Sequence, residues 1–251
     1  MMKKTKLPAV RKPDNVPAVP TGGLARFLYG PTAVPASKLA PVTAMPTVPQ
    51  ARARLDFAFD ATASREHAWS MATELTDALL TALPDRLDVR LMVHGGGKVH
   101  TVTRFESDAR RLRDRAAGIR CKAGYTRFLD ILTYTLQAVG VSVVVYIGDS
   151  FEENEAHGRQ LADALRARGT RLIILHDTCS RTFSGTEIFA EMAARTGGAV
   201  LPFDASALPR LKELLQAVAV LAVGDVPLLE ARRDTMPGAH LLLEHLSNKR
   251  G

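Results

Sequence analysis

Asp60, Thr62 and Ser64 follow one another at alternate positions directly after an apolar stretch, in Asp56-Phe57-Ala58-Phe59-Asp60-Ala61-Thr62-Ala63-Ser64. All three side chains are oxygen donors, and the spacing D-x-T-x-S can turn them toward one point just past a strand end. Hard oxygens suit Mg²⁺ or Mn²⁺ and suit Zn²⁺ or Cu²⁺ poorly. Two more segments carry matching donors. In Gly124-Tyr125-Thr126-Arg127-Phe128-Leu129-Asp130 a glycine permits a tight turn, and Thr126 stands where a helix is predicted to begin. Its everyday role there is to cap the first turn. In Val144-Val145-Tyr146-Ile147-Gly148-Asp149-Ser150 an apolar strand runs straight into Asp149, which caps the helix that follows or faces a ligand. The three segments together supply two carboxylates and three hydroxyls.

These residues need a frame that brings three loops to one place. From Arg54 onward the pattern alternates strands and helices. Strands are predicted at 55–60, 88–94, 99–105, 141–147, 171–175 and 199–203. Helices are predicted at 66–83, 107–117, 126–138, 152–168, 186–196 and 207–223, with a helical remainder at 226–246 broken at Pro237-Gly238. Gly95-Gly96-Gly97 is short enough to imply an antiparallel hairpin. Val141–Ile147 is apolar and β-branched, which suits a central parallel strand covered on both faces. The order predicts an α/β fold: an open, mostly parallel, doubly wound sheet with one antiparallel edge strand. Ligands of such sheets gather at the C-terminal ends of central strands, where the strand order reverses. Asp60 sits at one such end.

The order and spacing of Asp60, Thr62 and Ser64, then Thr126 after Gly-Tyr, then Asp149 in Ile-Gly-Asp-Ser resemble the metal-ion-dependent adhesion site of von Willebrand factor A-type domains. That family writes its first element D-x-S-x-S, adds a threonine in a second loop and an aspartate after a central strand. The resemblance covers residues 54–223 and departs in two places. Thr62 stands for the usual first serine, and its β-branch restricts χ1. Gly148-Asp149-Ser150 stands for the commoner Thr-Asp-Gly. The resemblance implies a Mg²⁺ (or Mn²⁺) site of about six oxygens. Thr62 and Ser64 ligate directly, Thr126 directly or through water, and Asp60 and Asp149 directly or through ordered waters. One open position takes an Asp or Glu of a partner protein, so the expected activity is binding, with no bond made or broken. Intracellular members of the family also imply a AAA+ ATPase or an assembly complex as partner.

Charge divides the 251 residues unevenly. Residues 1–54 hold nine Lys or Arg and one acid, whereas the rest holds 24 Lys or Arg and 25 acids. Nine of the 14 prolines fall within residues 1–50. Residues 1–53 therefore read as a basic, Pro/Ala-rich disordered arm, residues 54–224 as the domain, and 225–251 as a helical tail. Within the arm, Leu24-Ala25-Arg26-Phe27-Leu28-Tyr29-Gly30 is unusually apolar: either a patch packing on the chain's own domain or a docking motif, with Phe27, Leu28 and Tyr29 as the contacts. The arm also supports an alternative function, nucleic-acid association through phosphates and stacked aromatics.

Other chemistries fare worse. Two cysteines, Cys121 and Cys179, make no disulfide framework and suit a reducing cytoplasm. The basic N-terminus lacks the apolar stretch of a secretory signal, and no run reaches the roughly 20 apolar residues of a membrane span. Only His240 and His245 lie close together among the histidines, which argues against zinc. Gly95-Gly96-Gly97-Lys98 lacks the remaining features of a phosphate-binding loop. Arg110, Arg111, Arg113 and Arg115 face more than one side of their helix and read as a solvated surface. Glu152-Glu153 reads as charge complementing the N-terminus of its own helix, with a role at the rim of the metal site as the alternative. A metal-dependent hydrolase would need a general base, and none of the three loops contains a histidine.

Overall fold

A computed structural model describes residues 51–61, 72–83, 86–117, 122, 124–177, 184–202 and 208–247. Thr62 and Ser64, residues 1–50 of the arm with Phe27, Leu28 and Tyr29, and both cysteines lie outside the described residues. Six strands, β1 (Ala53–Asp60), β2 (Leu87–Gly95), β3 (Lys98–Val102), β4 (Val141–Gly148), β5 (Arg171–His176) and β6 (Ala199–Pro202), form one sheet in the order β3-β2-β1-β4-β5-β6. All pairs are parallel except β2 with β3. This is the expected doubly wound sheet with one antiparallel edge, and its order reverses between β1 and β4.

The alternation of side chains along a strand divides the interior into two layers. On one face Leu55, Phe57 and Phe59 of β1 and Val143, Val145 and Ile147 of β4 pack under α1 (Ala72–Ala82), α2 (Ala109–Ala117), α6 (Leu208–Glu230) and α7 (Pro237–Ser247). On the other, Ala58, Met92, Val144, Tyr146 and Ile174 pack under α3 (Phe128–Gln137), α4 (Glu155–Ala167) and α5 (Thr186–Arg195). With both faces covered, β4 is buried at every position except Ser142, which is partly buried.

Some boundaries differ from the expectation. β3 ends at Val102: Thr103 Oγ1 accepts from Leu91 N at 2.9 Å in place of a backbone carbonyl, while Thr103 N still donates to Leu91 O at 2.9 Å and a bridge between Val89 and Glu106 follows. α6 is divided in two by the non-helical Asp225, so its first part ends beside Val223 as expected and a second part runs on to Glu230. At the kink Asp225 takes φ 53° and ψ −163°, a conformation rare for a non-glycine residue, and its carboxylate pairs with Arg171 at 2.9 Å. The expected break at Pro237-Gly238 falls earlier, because proline is well suited to the first turn of a helix and here opens α7. Leu242 and Leu243 of α7 are buried against the domain's own core.

A buried ion pair braces the sheet beneath the candidate site. Arg90 Nε and Nη2 donate to Asp56 Oδ1 and Oδ2 at 2.8 and 2.6 Å, and Thr135 Oγ1 donates to Asp56 Oδ2 at 2.7 Å. Arg90 also lies over the Phe105 ring at 4.8 Å. The pair fastens β1, β2 and α3 together.

Candidate metal centre

Asp60 is the last residue of β1 and is 3% exposed; Asp149 follows β4 directly and is 2% exposed; Thr126, in the loop before α3, is 4% exposed. The register Phe59 to Ile147 sets Asp60 and Asp149 at the ends of adjacent parallel strands, one on each side of the point where the strand order reverses. The Thr126 loop is tied to both sides of that point. Lys122 N donates to Ala61 O at 2.9 Å, and Gly96 N donates to Lys122 O at 3.0 Å. Arg127 N donates to His94 Nδ1 at 3.4 Å. Across the site, Thr126 N donates to Glu152 Oε2 at 3.2 Å, and Glu152 N donates back to Thr126 Oγ1 at 3.4 Å. Gly124 makes this crossing possible. A Cβ there would stand 2.5 Å from Gly96 Cα, so a side chain would lift the loop off the β2–β3 turn.

His94, in register with Asp60 on β2, is the main residue the sequence did not reveal. Its ring is buried. Burial, followed by the charges of His100 and Arg127 and against that of Asp149, lowers its pKa to about 3, so it is neutral at neutral pH. Since Nδ1 accepts from Arg127 N, Nε2 carries the proton and donates to Tyr146 Oη at 3.0 Å. Nδ1 stands 3.8 Å from Asp60 Oδ1, too far for a hydrogen bond. A neutral imidazole puts no competing positive charge beside the two carboxylates, so a divalent cation could approach them. The oxygen chemistry of Asp60, Thr126 and Asp149 fits such an ion. Among the described residues no group of three His, Cys, Asp or Glu side chains could hold a metal, so any site here depends on hydroxyls beside its two carboxylates. His94 also bears on the hydrolase alternative, for it brings a histidine to the site from outside the three loops. Both its nitrogens are engaged, and a pKa of about 3 is far below what a general base needs near neutrality.

Tyr146 explains the departure at Gly148. A Cβ on Gly148 would lie 2.5 Å from Tyr146 Cε1 and Oη and 2.6 Å from Cζ. The phenol therefore fills the space that a side chain at 148 would take, and it places a hydroxyl between the β4 end and His94.

Glu152 and Glu153 do not serve their own helix. α4 begins at Glu155, and its cap is Asn154, whose side chain accepts from His157 N at 2.8 Å. Glu153 instead accepts from Phe128 N at 2.6 Å and Leu129 N at 3.1 Å and so caps α3. Burial raises its pKa, while those two bonds act the other way. The cap expected from Thr126 is thus supplied by Glu153, and the N-cap position itself, Arg127, makes no side-chain capping bond.

No family model and no curated protein matches the chain. Solved structures do. Proximal thread matrix protein 1 from the mussel byssus is similar with a TM-score of 0.53 at 14% identity, over 69% of this chain and 46% of that one. The chain thus spans about half the length of that protein. A form of the same protein with a zinc-occupied MIDAS motif gives a TM-score of 0.51. The SpRpn10 VWA domain gives 0.51 at 11% identity, over 64% of this chain and 94% of that one. At such identities the likeness establishes the fold alone. This is the von Willebrand factor A-type fold that the residues resembled.

Proposed function

With a von Willebrand factor A-type fold as its framework, the chain is, we propose, a non-enzymatic binding protein that captures an acidic residue of a partner protein through a divalent cation. The observation that carries this reading is the placement of two buried carboxylates, Asp60 and Asp149, on either side of the strand-order reversal, with Thr126 tied between them. Thr62 and Ser64, just beyond Asp60, complete the proposed donor set.

Bound Mg²⁺ would supply a positive anchor with room for a carboxylate oxygen of the partner. The chain's own residues do the rest. Asp60 and Asp149 provide the charge that holds the ion. Glu152 and His94 fix the loop that presents Thr126. Tyr146 and His94, joined at 3.0 Å, and the β1–β4 pairing back the site on its interior side. Zinc occupies the corresponding motif of the mussel protein, so Mg²⁺, Mn²⁺ and Zn²⁺ all belong in the assay. The family resemblance adds a AAA+ ATPase or an assembly complex as the proposed partner class, in the cytoplasmic setting expected from the cysteine usage.

Titration of the full chain with each ion, followed by thermal unfolding, tests the site. Mg²⁺ should raise the midpoint by mass action, and Asp60→Ala should lose that rise while retaining its circular dichroism. Co-purification from native cells with Mg²⁺ or EDTA tests the partner. Capture that is unchanged in EDTA or in Asp60→Ala refutes the reading.

A further inference from the structure

Among the described residues the rim around Asp60 and Asp149 is electrically lopsided. On the α4 side stand Glu152, exposed, and Glu153, half-buried. On the β3 side stand Lys98 and Lys122, both exposed, and their two charges act on His100 between them. Among the described residues Lys98 makes no ion pair, and the neighbouring Arg127 is already paired with Asp130 at 2.6 Å. Tyr125, beside Thr126, is 77% exposed. Beyond it a groove of about 480 Å³ runs between β3 and α3, lined by Lys98, Val99, Asp130, Thr133, Tyr134 and Gln137. The four α3 residues are spaced to share one face of that helix, and Tyr134 is itself 39% exposed.

We infer that the partner segment leaves the metal centre over the β3 side as an extended acidic peptide, with Tyr125 beneath it and a second carboxylate on Lys98. This rests on the proposed metal-dependent capture and adds a direction and a sequence requirement. An acidic segment running the other way would meet Glu152 and be repelled. Spacing follows from the register. Asp60 pairs with His94, and Gly95 pairs with Lys98, so Lys98 lies two strands from Asp60, about 10 Å at ~4.8 Å per strand. An extended chain rises about 3.3 Å per residue, so the second acid belongs about three residues from the first. Exposed aromatics beside a polar contact are the usual anchors of such interfaces, which is the part Tyr125 plays.

The test uses two synthetic glycine–serine peptides with blocked ends, one carrying a single aspartate and one carrying a second aspartate three residues later. Each is titrated into the full chain in saturating Mg²⁺ at low salt, followed by amide NMR shifts. The second aspartate should tighten binding about three- to five-fold, the scale of an exposed ion pair. That gain should vanish in Lys98→Ala and reverse in Lys98→Glu, while Tyr125→Ala weakens both peptides. Lys98 and Tyr125 are exposed, so these variants should retain the fold. Equal affinities for the two peptides, or a gain that survives in Lys98→Glu, overturns the β3-side path; if EDTA still abolishes binding, the metal reading stands. Binding of both peptides that is indifferent to EDTA and to Asp60→Ala overturns the metal reading and this inference together.

Discussion

Gly148→Ala should destabilise the domain through one identifiable collision. The new methyl would sit 2.5–2.6 Å from three atoms of the Tyr146 ring. Tyr146 has no exposed surface and no space into which to retreat: Phe128 lies 4.2 Å from its ring centroid, His94 5.8 Å and Phe189 6.0 Å. Overpacking of this kind costs about 1–3 kcal/mol. Tyr146→Val, which removes the ring, leaves a cavity and costs about 3 kcal/mol. The two losses should not add, because the valine vacates the atoms that the methyl strikes. The double variant should therefore be more stable than the sum of the singles by about 1–2 kcal/mol. Urea unfolding of the full chain in EDTA measures all four corners, with the m-value checked for constancy. An additive cycle, or a Gly148→Ala variant as stable as the parent, would refute the idea that Tyr146 excludes a side chain at 148.

Asp56→Ala strands Arg90, only 8% exposed, without its bidentate partner, and should cost about 3–5 kcal/mol by urea unfolding. Thr135→Val leaves the ion pair in place and should cost only about 1 kcal/mol. Metal-free stability should fall as pH drops from about 6.5 toward 3, because the unfolded chain protonates His94 while the folded chain holds it neutral. The slope from this one group reaches at most about 1.4 kcal/mol per pH unit, and it should be missing from a pH series of His94→Gln. Glu153 works in the opposite sense. Its raised pKa means that the folded state holds the proton longer, so its contribution is complete below the unfolded value near 4.5 and is lost as pH rises through the folded one. Glu153→Gln should flatten that part of the profile, which thermal unfolding at closely spaced pH values would detect.

The elements that could be read from the sequence are those whose evidence is local. β4 announced itself by a run rich in β-branched residues, the β2–β3 hairpin by three glycines, and Asp60 and Asp149 by ending apolar strands. What escaped depends on residues far apart in the chain. Asp56 shares a strand face with Asp60 in a pattern that alternates acid and hydrophobe, which reads as half-exposed. Its face is covered because Arg90, 34 residues later, arrives to pair with it. The capping of α3 by Glu153 spans 25 residues and reverses the natural assumption that an acid serves the helix it precedes. His94 did leave a trace. β1 closes on Asp60, β2 on His94 and Gly95, and β5 on His176, so polar groups recur along one edge of the sheet. Searching each predicted strand for its last polar residue would have found His94 without the fold. Thr62 and Ser64, the two hydroxyls of the opening motif, lie outside the described residues, and their part rests on spacing.

The two ends of the sheet use charge differently, and the contrast bears on which end binds. At the N-terminal edge, arginines are spent on structure. Arg52 pairs with Asp88, Arg54 donates to Val139 O, Arg168 to Leu136 O, and Arg171 to both Asp225 and Gly197 O. A cavity of about 540 Å³ opens there beside Arg171, but that guanidinium already has its carboxylate and its carbonyl. At the C-terminal edge, the histidine nearest Asp60 is kept neutral, and the rim glutamates are turned to backbone N–H groups of the Thr126 loop and α3. Stapling one edge holds the strands in register, which fixes how far apart Asp60 and Asp149 stand at the other. A ligand at the carboxylate end then meets a preset geometry, and ordering the loops around it costs less of the binding energy. Weakening a staple should therefore loosen Mg²⁺ binding at a distance: Arg171→Met should lower ion affinity by calorimetry even though Arg171 sits at the far end of β5. An unchanged affinity would show that β1 and β4 keep their spacing without help from that edge.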